Sequence, residues 1–352
     1  MIDFSEHKID ALLVSSLPNI RYLSGYTGSN GMVLLLPDSL TLITDPRYDI
    51  QARQEALGAK LPAQVVITRK RLWEAALQQI KRQRLRTVGF EQSQITYESF
   101  KSLEKDLPLG HSLKPLGPLI DTVRMVKTEE EIARIRRAVS TNSAAFEDVV
   151  KRLRPGMSEA GIAADLEYRM RKQGAEGTAF ETIVASGPRT ALPHARPTSK
   201  RVAMNELLLI DMGASQDGYM SDMTRMVFLG APNKKLRGMY RSVLQAQLAA
   251  IDAVRPGAIT RNVDRSAREV LKAADLDKAF VHSTGHGLGL EIHEAPRVGK
   301  KDKTRLKAGM VITIEPGAYV EGVGGIRIED TVLVTTNGCE VLTPTSKELM
   351  VL

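Results

Sequence analysis

The chain has 352 residues, of which 43% are hydrophobic and 26% are charged, and this composition excludes a disordered or fibrous protein and predicts two globular domains. Apolar runs such as residues 207–210 are far shorter than the roughly 20 residues of a membrane span, so we expect no membrane partner. The formal net charge of +8 would suit a nucleic-acid partner, but the basic residues are scattered and only 5% of residues are aromatic, which argues against one.

The first part of the chain predicts an α/β domain, because short apolar strands alternate with helical stretches. The predicted strands cover residues 11–15, 31–36, 40–44 and 87–90, and the predicted helices lie near residues 47–57 and 70–84. Asp3, Glu6 and Asp10 exclude the basic start of a secretory signal, so we expect a cytoplasmic protein. Residues 107–118 are rich in proline and glycine, which is typical of a connector and places the domain boundary after residue 118.

The second domain, residues 119–352, opens with a predicted helix. Thr128 is followed three residues later by Glu131, as in a capping box, and apolar residues then recur at helical spacing. A faint internal repeat is visible, since Arg-Pro-Gly occurs at residues 154–156 and again at residues 255–257, each time between helical patterns. We therefore expect an α+β domain with antiparallel sheet and an internal pseudo-twofold, and a cleft between its halves.

Two aspartates interrupt apolar strands in the first half of this domain. Asp211 ends an apolar run, where an isolated buried charge costs several kcal/mol, so something must compensate it. Asp222 lies eleven residues later, beyond a turn signal. If the turn centres on Gln216 and Asp217, the two carboxylates face each other directly, whereas a shift of one residue caused by the Asp-Gly pair would separate them.

The second half contains an equivalent pair, Glu315 and Glu329, on either side of a glycine-rich turn at residues 322–325. Like charges about 4 Å apart repel by roughly 4 kcal/mol at an effective dielectric constant of 20, so two such pairs predict bound cations. His286, flanked by glycines that permit close backbone approach, adds a nitrogen ligand. Four carboxylates and one imidazole suit two divalent ions, Mn²⁺ foremost and Co²⁺ or Zn²⁺ as alternatives. Such a pair can generate a nucleophile and polarise a carbonyl group.

The motifs around these five residues resemble those of the pita-bread metallopeptidases, which include aminopeptidase P, prolidase and methionine aminopeptidase. The motifs are Ile210-Asp211-Met212-Gly213, Ser221-Asp222-Met223-Thr224-Arg225, Gly285-His286-Gly287-Leu288-Gly289, Ile314-Glu315-Pro316-Gly317 and Arg327-Ile328-Glu329-Asp330. The resemblance implies that a dinuclear centre is bound by Asp211, Asp222, His286, Glu315 and Glu329, of which Asp222 and Glu329 would bridge the ions. None of the five departs from the pattern, which argues against a non-catalytic binding protein of this fold.

The same resemblance implies roles for further residues. His194 and His293 would contact substrate and stabilise the tetrahedral intermediate. Glu315 would also shuttle a proton between water and the leaving amine. His282 would lie behind the metal ligands, and Arg327 would support the ligand carboxylates.

The first domain narrows the implied substrate. Methionine aminopeptidases usually lack such a domain, whereas residues 19–31 and 44–48 resemble the creatinase-like domain of small bacterial proline-specific members. The resemblance implies hydrolysis of the Xaa-Pro bond in proline-containing peptides, and a homodimer. Residues 25–29 favour aminopeptidase P, which is our main prediction. The alternative is an Xaa-Pro dipeptidase, in which Arg297, four residues after His293, would pair with the free carboxylate of the dipeptide rather than face solvent.

Overall fold

The structure, a computed structural model, describes residues 2–352. The chain divides into two compact units, Met1–Arg124 and Met125–Leu352, a division that follows the short helix after residue 118. Across residues 2–352 we find no helix whose length and apolar character would let it span a bilayer.

The first unit is built on a six-stranded sheet in the order β4-β3-β2-β1-β5-β6. Alternate residues of β1 enter two separate apolar cores, Leu12 and Val14 one of them and Ala11 and Leu13 the other. The strand is therefore apolar along its whole length, as expected for a sheet covered on both faces. The strands are β1 (Ala11–Val14), β2 (Met32–Leu35), β3 (Leu40–Thr44), β4 (Ala63–Ile67), β5 (Thr87–Glu91) and β6 (Ser112–Leu116), and the helices are α1 (Leu17–Ser24), α2 (Asp49–Glu55), α3 (Leu72–Arg82), α4 (Tyr97–Asp106) and α5 (Leu119–Arg124).

The interpretation of residues 107–118 as a connector is wrong in part. Strand β6 lies within this segment and pairs in parallel with β5, so the segment completes the sheet of the first unit. Pro115 is compatible with a strand here because β6 lies at the edge of the sheet, where a residue without an N–H group can face away from the ladder.

The second unit combines long helices with two larger antiparallel sheets, ordered β20-β12-β9-β8, in which only β20 runs parallel to its neighbour, and β14-β13-β15-β18-β19. Its helices are α6 (Glu129–Val150), α7 (Glu159–Lys172), α8 (Lys234–Asp252) and α9 (Thr260–Ala273). Its strands are β7 (Gly177–Thr178), β8 (Ile183–Ser186), β9 (Glu206–Met212), β10 (Ala214–Gln216), β11 (Tyr219–Met220), β12 (Met223–Leu229), β13 (Gly285–Gly287), β14 (Glu294–Val298), β15 (Val311–Ile314), β16 (Gly317–Val320), β17 (Gly324–Arg327), β18 (Asp330–Val334), β19 (Cys339–Val341) and β20 (Met350–Val351). Short 3-10 helices cover Pro46–Tyr48, Ala56–Gly58, Gly187–Ala191 and Asp277–Ala279.

The internal repeat predicted from Arg-Pro-Gly is present in the fold. Each copy turns the chain between two helices, α6 and α7 in the first half and α8 and α9 in the second. Gly156 and Gly257 both have positive φ, 90° and 82°, which glycine adopts at no steric cost. Each donates its N–H to a carbonyl at 2.8 Å, Gly156 to Val202 and Gly257 to Leu306. The two halves therefore share one construction, and the predicted pseudo-twofold is confirmed.

The site is positioned by the core between these halves. Alternate residues of β9 enter two cores, and the core that receives Leu207 and Leu209 also contains residues of α8, α9, β15 and β18. Asp211 continues the alternation of Leu207 and Leu209, so it lies on the face of β9 that is turned towards the second half.

Candidate metal centre

All the predicted site residues line one cavity of about 660 Å³ in the second unit. They are distant in sequence and belong to both halves of the unit. The predicted metal ligands in its wall are Asp211, Asp222, His286, Glu315 and Glu329, and the other predicted residues are His194, His282, His293, Arg297 and Arg327.

The direct opposition of Asp211 and Asp222 is wrong. The turn between β10 and β11 is centred on Asp217 and Gly218, whose φ values of 51° and 78° are typical of a tight type I′ hairpin turn. The turn centre therefore lies one residue further along the chain than a centre at Gln216 and Asp217, which moves the pairing by two residues, so that Asp211 lies opposite Thr224 instead. Asp222 precedes Thr224 by two residues and therefore shares its face. The two aspartates are diagonal neighbours rather than a facing pair.

Thr224 joins the ligands of the two halves. Its hydroxyl donates to Oε2 of Glu329 at 2.7 Å, and its carbonyl accepts the N–H of Glu329 at 3.2 Å. Glu329 precedes β18 and Glu315 follows β15, and these two strands pair antiparallel up to Ile314 opposite Asp330. Both glutamates therefore lie just beyond the same end of the β15–β18 pair, on the side of the first half.

The glycines beside His286 allow two strands to approach its backbone. A Cβ atom at Gly285 would lie 1.9 Å from the carbonyl oxygen of Thr313, and one at Gly287 would lie 2.3 Å from that of Ala295. Larger residues at either position would push the neighbouring strand away and displace the imidazole.

The protonation of His286 follows from its hydrogen bond. Its Nδ1 lies 3.0 Å from the carbonyl oxygen of Gly287, which can only accept, so Nδ1 carries the proton. The lone pair of Nε2 then points towards Oδ2 of Asp222 at 3.6 Å and Oε1 of Glu315 at 3.5 Å. A lone pair directed at two carboxylates is repelled unless a cation or a proton lies among them, and this tautomer is the one that binds metals through Nε2.

Two further observations fit divalent cations at this place. Ligand atoms of Asp222, His286 and Glu329 all lie within 4.8 Å of one another. Oδ2 of Asp211 accepts a hydrogen bond from Arg327 at 2.6 Å, but among residues 2–352 no donor reaches its buried Oδ1. An unpartnered buried carboxylate oxygen is costly, and coordination to a cation would satisfy it.

Burial of so many acids perturbs their ionisation. Burial and the neighbouring Glu329 raise the pKa of Asp222 well above its usual range, and burial with Glu315 does the same for Glu329. Burial raises the pKa of Glu315 to about 8 and lowers the pKa of His286 to about 4. Without cations the cluster therefore takes up protons and its imidazole stays neutral.

We expect the chelated protein to lose stability as the pH rises from about 6.5 to about 8. A carboxyl group whose pKa is raised by folding stabilises the fold at low pH, and this contribution is lost as the pH passes from its usual pKa to its folded pKa. For Glu315 this interval runs from 4.5 to about 8. The lowered pKa of His286 acts in the opposite direction, but only below its usual 6.5.

The measurement is the melting temperature against pH, with and without added Mn²⁺. Cations replace the protons, so the decline between pH 6.5 and 8 should be much smaller in the metal-loaded protein. A chelated protein that becomes more stable over this interval would contradict the charge repulsion that we describe.

Arg327 is buried and organises the polar residues beneath the site. Besides Asp211, its guanidinium donates to the hydroxyl of Tyr319 at 2.7 Å and to that of Thr224 at 3.0 Å. Tyr319 lies 2.9 Å from Nε2 of His282, whose Nδ1 is paired with a carbonyl oxygen at 2.8 Å and so carries the proton. Tyr319 therefore accepts from Arg327 and donates to His282. No motif in the sequence marks Tyr319, because only the folded β16 brings its hydroxyl to these partners.

His293, His194 and Arg297 lie at the open side of the cavity, where their side chains are exposed. The ring of His293 meets that of His286 edge to face, with centroids 4.4 Å apart. Arg297 lies directly opposite His286 in the β13–β14 pair. These three side chains are accessible to a ligand in the cavity.

Residues 133–336 match the model of metallopeptidase family M24, and residues 3–126 match that of the creatinase/prolidase N-terminal domain. The Xaa-Pro dipeptidase of Pyrococcus furiosus is 37% identical over 345 residues, which cover 98% of this chain and 96% of that protein. The solved structure of an Xaa-Pro dipeptidase from Bacillus anthracis shares 38% identity and superposes with a TM-score of 0.95, covering 99% of this chain and 97% of that one. An X-Pro aminopeptidase structure from Thermotoga maritima shares 35% identity with a TM-score of 0.90, covering 99% of this chain and 100% of that one.

Proposed function

The chain belongs to metallopeptidase family M24, and we propose that it is an Xaa-Pro dipeptidase, which splits a dipeptide that ends in proline. The sequence alone predicts this activity as the alternative to aminopeptidase P, and the dipeptidases among the relatives of the chain favour it. The observation that carries the proposal is the position of Arg297 in the cavity wall, opposite His286. In a dipeptide the free carboxylate directly follows proline, and a guanidinium is suited to bind it with two parallel hydrogen bonds.

We propose that Asp211, Asp222, His286, Glu315 and Glu329 hold two divalent ions, Mn²⁺ foremost. When bound, such ions activate a water molecule and polarise the scissile carbonyl. Glu315, whose carboxylate lies 3.5 Å from Nε2 of His286, would carry a proton towards the leaving proline nitrogen. Two features of the site support bound cations. The lone pair of His286 faces two carboxylates, and the buried Oδ1 of Asp211 has no hydrogen-bond donor among residues 2–352.

His194 and His293 would donate hydrogen bonds to the charge that develops on the carbonyl oxygen, because both are exposed in the cavity beside the ligand cluster. A homodimer and a cytoplasmic location remain predictions of the sequence.

The test compares an Xaa-Pro dipeptide with an Xaa-Pro-Xaa tripeptide, using chelated enzyme restored with Mn²⁺, Co²⁺ or Zn²⁺. We expect cleavage of the dipeptide only, because a third residue would displace the carboxylate from Arg297. The second candidate, aminopeptidase P, is favoured by the similarity to the Thermotoga maritima aminopeptidase and predicts cleavage of the tripeptide before proline. If neither peptide is cut with any of these ions, the proline specificity is wrong.

A further inference from the structure

Glu159, the first residue of α7, is a fully buried carboxylate that holds both ends of the loop carrying His194. We call residues 187–197 the His194 loop. Ser186 precedes it, and its N–H and hydroxyl both donate to Oε1 of Glu159 at 2.8 Å. Thr198 follows it and donates to Oε2 from its N–H at 3.1 Å and from its hydroxyl at 2.7 Å. One carboxylate thus closes the loop at its base.

Arg189, inside the loop, completes this arrangement. Its Nε lies 3.2 and 3.1 Å from the two oxygens of Glu159, and its Nη2 donates to the carbonyl of Arg196 at 2.7 Å. Burial alone would raise the pKa of Glu159, but hydrogen bonds from Thr198 and Ser186 outweigh it and lower the pKa below its usual range. Glu159 is therefore a stable anion that accepts hydrogen bonds from the residues at both ends of the loop.

The tip of the loop reaches the metal centre. The carbonyl of Pro193 accepts a hydrogen bond from Nη1 of Arg327 at 3.1 Å, and Ala195 is buried in the core between the two halves. His194 lies between these two fixed neighbours, and its side chain is exposed in the cavity. Its position consequently depends on the base of the loop, which Glu159 holds, as well as on the tip.

We propose that Glu159 is a positioning residue for the reaction, because it fixes the His194 loop and thereby the imidazole of His194 in the cavity. The inference rests on the proposed function, since turnover reports on Glu159 only if His194 contacts the substrate. Glu159 touches neither the substrate nor the predicted metal ligands.

The test is Glu159→Gln, which keeps the size of the side chain but directs an NH₂ group at one of the two donor pairs. We expect kcat for an Xaa-Pro dipeptide to fall about 10- to 100-fold, the range that a misplacement of roughly 1 Å can cause, while KM and bound metal change little. In a His194→Ala background the same substitution should lower kcat no further, because the residue through which it acts is gone. A purely structural role would reduce kcat equally in both backgrounds, and that result would overturn the proposal.

Glu91→Gln is the matched control. Glu91 is also buried and accepts hydrogen bonds from the N–H groups of Ser15 and Ser16 and from the amide of Asn19, but it belongs to the first unit. We expect kcat of the Glu91→Gln variant to equal that of the wild type. If Glu159→Gln does not fold, Thr198→Val removes one of the four end contacts and should shift kcat in the same direction by a smaller factor.

Hydrogen exchange separates this inference from the proposed function. Backbone amides of the His194 loop and its two flanking residues should exchange faster in Glu159→Gln than in the wild type. Equal exchange rates in the two proteins would show that Glu159 does not anchor the loop. If the wild type cleaves no Xaa-Pro peptide but the loop amides still exchange faster, the proposed function fails and the anchoring by Glu159 stands.

Discussion

We expect Asp222→Asn and Glu329→Gln each to abolish peptide hydrolysis, while the metal-free variants stay folded and become harder to unfold than metal-free wild type. Hydrolysis should be lost because each variant removes one of the carboxylates that are proposed to hold the two ions. Stability should rise because each variant makes permanently neutral a group that the metal-free wild type keeps neutral only by taking up a proton, since burial and like charges raise the pKa of both residues. Two charges about 4 Å apart cost about 4 kcal/mol at an effective dielectric constant of 20, which is an upper bound for the gain.

The measurements are turnover after metal restoration and the free energy of unfolding in the presence of a chelator. Asp217→Asn is the control, since it makes the same chemical change in the hairpin turn near Asp222, where asparagine also tolerates positive φ, and it should alter neither quantity much. Turnover retained by either metal-loaded ligand variant would refute the dinuclear assignment. Lower stability of both metal-free variants would refute the repulsion.

We expect Arg297→Leu to lower kcat/KM for an Xaa-Pro dipeptide by about 10- to 100-fold, because a hydrogen-bonded charge pair contributes about 1.5–3 kcal/mol. The effect should appear mainly in KM, since the carboxylate is bound alike before and during the reaction. An Xaa-Pro amide lacks this carboxylate, so wild type and Arg297→Leu should cleave it at similar, low efficiency.

Arg196→Leu provides the comparison for Arg297. Arg196 lines the same cavity and is also exposed, but it lies 3.4 Å from Glu181 and pairs with it. Its loss should change the cleavage of dipeptide and amide by the same small factor. If Arg297→Leu lowers kcat/KM equally for the dipeptide and the amide, Arg297 does not bind the carboxylate. The proposal of a dipeptidase then loses its main support.

The sequence predicts the members of the candidate site better than their arrangement. Acids such as Asp211 and Glu315 stand out because an apolar strand makes a buried charge conspicuous without any knowledge of its neighbours. The register of Asp211 and Asp222 could not be derived, because one residue in the turn decides it and the Asp-Gly pair permits two centres. The sequence of β6 resembles a connector because an edge strand tolerates proline and lacks the continuous apolar pattern of a buried strand.

No comparable sequence pattern marks the residues that support the site through other side chains. The hydroxyl of Tyr319 matters only because β16 places it between Arg327 and His282. Glu159 reads as one more acidic residue at the start of a helix, and its hydrogen bonds to Ser186 and Thr198 depend on the path of the His194 loop. Such partners are set by tertiary structure rather than by local pattern.

The division of the predicted ligand set between two halves also bears on when the site is complete during synthesis of the chain. Asp211 and Asp222 leave the ribosome with the first half, whereas His286, Glu315 and Glu329 follow with the second. Thr224 has no glutamate to hold until that second half has folded against β12. A nascent chain that has completed only its first domain and half of its second therefore lacks three of the five predicted ligands, so ion binding would follow completion of the chain.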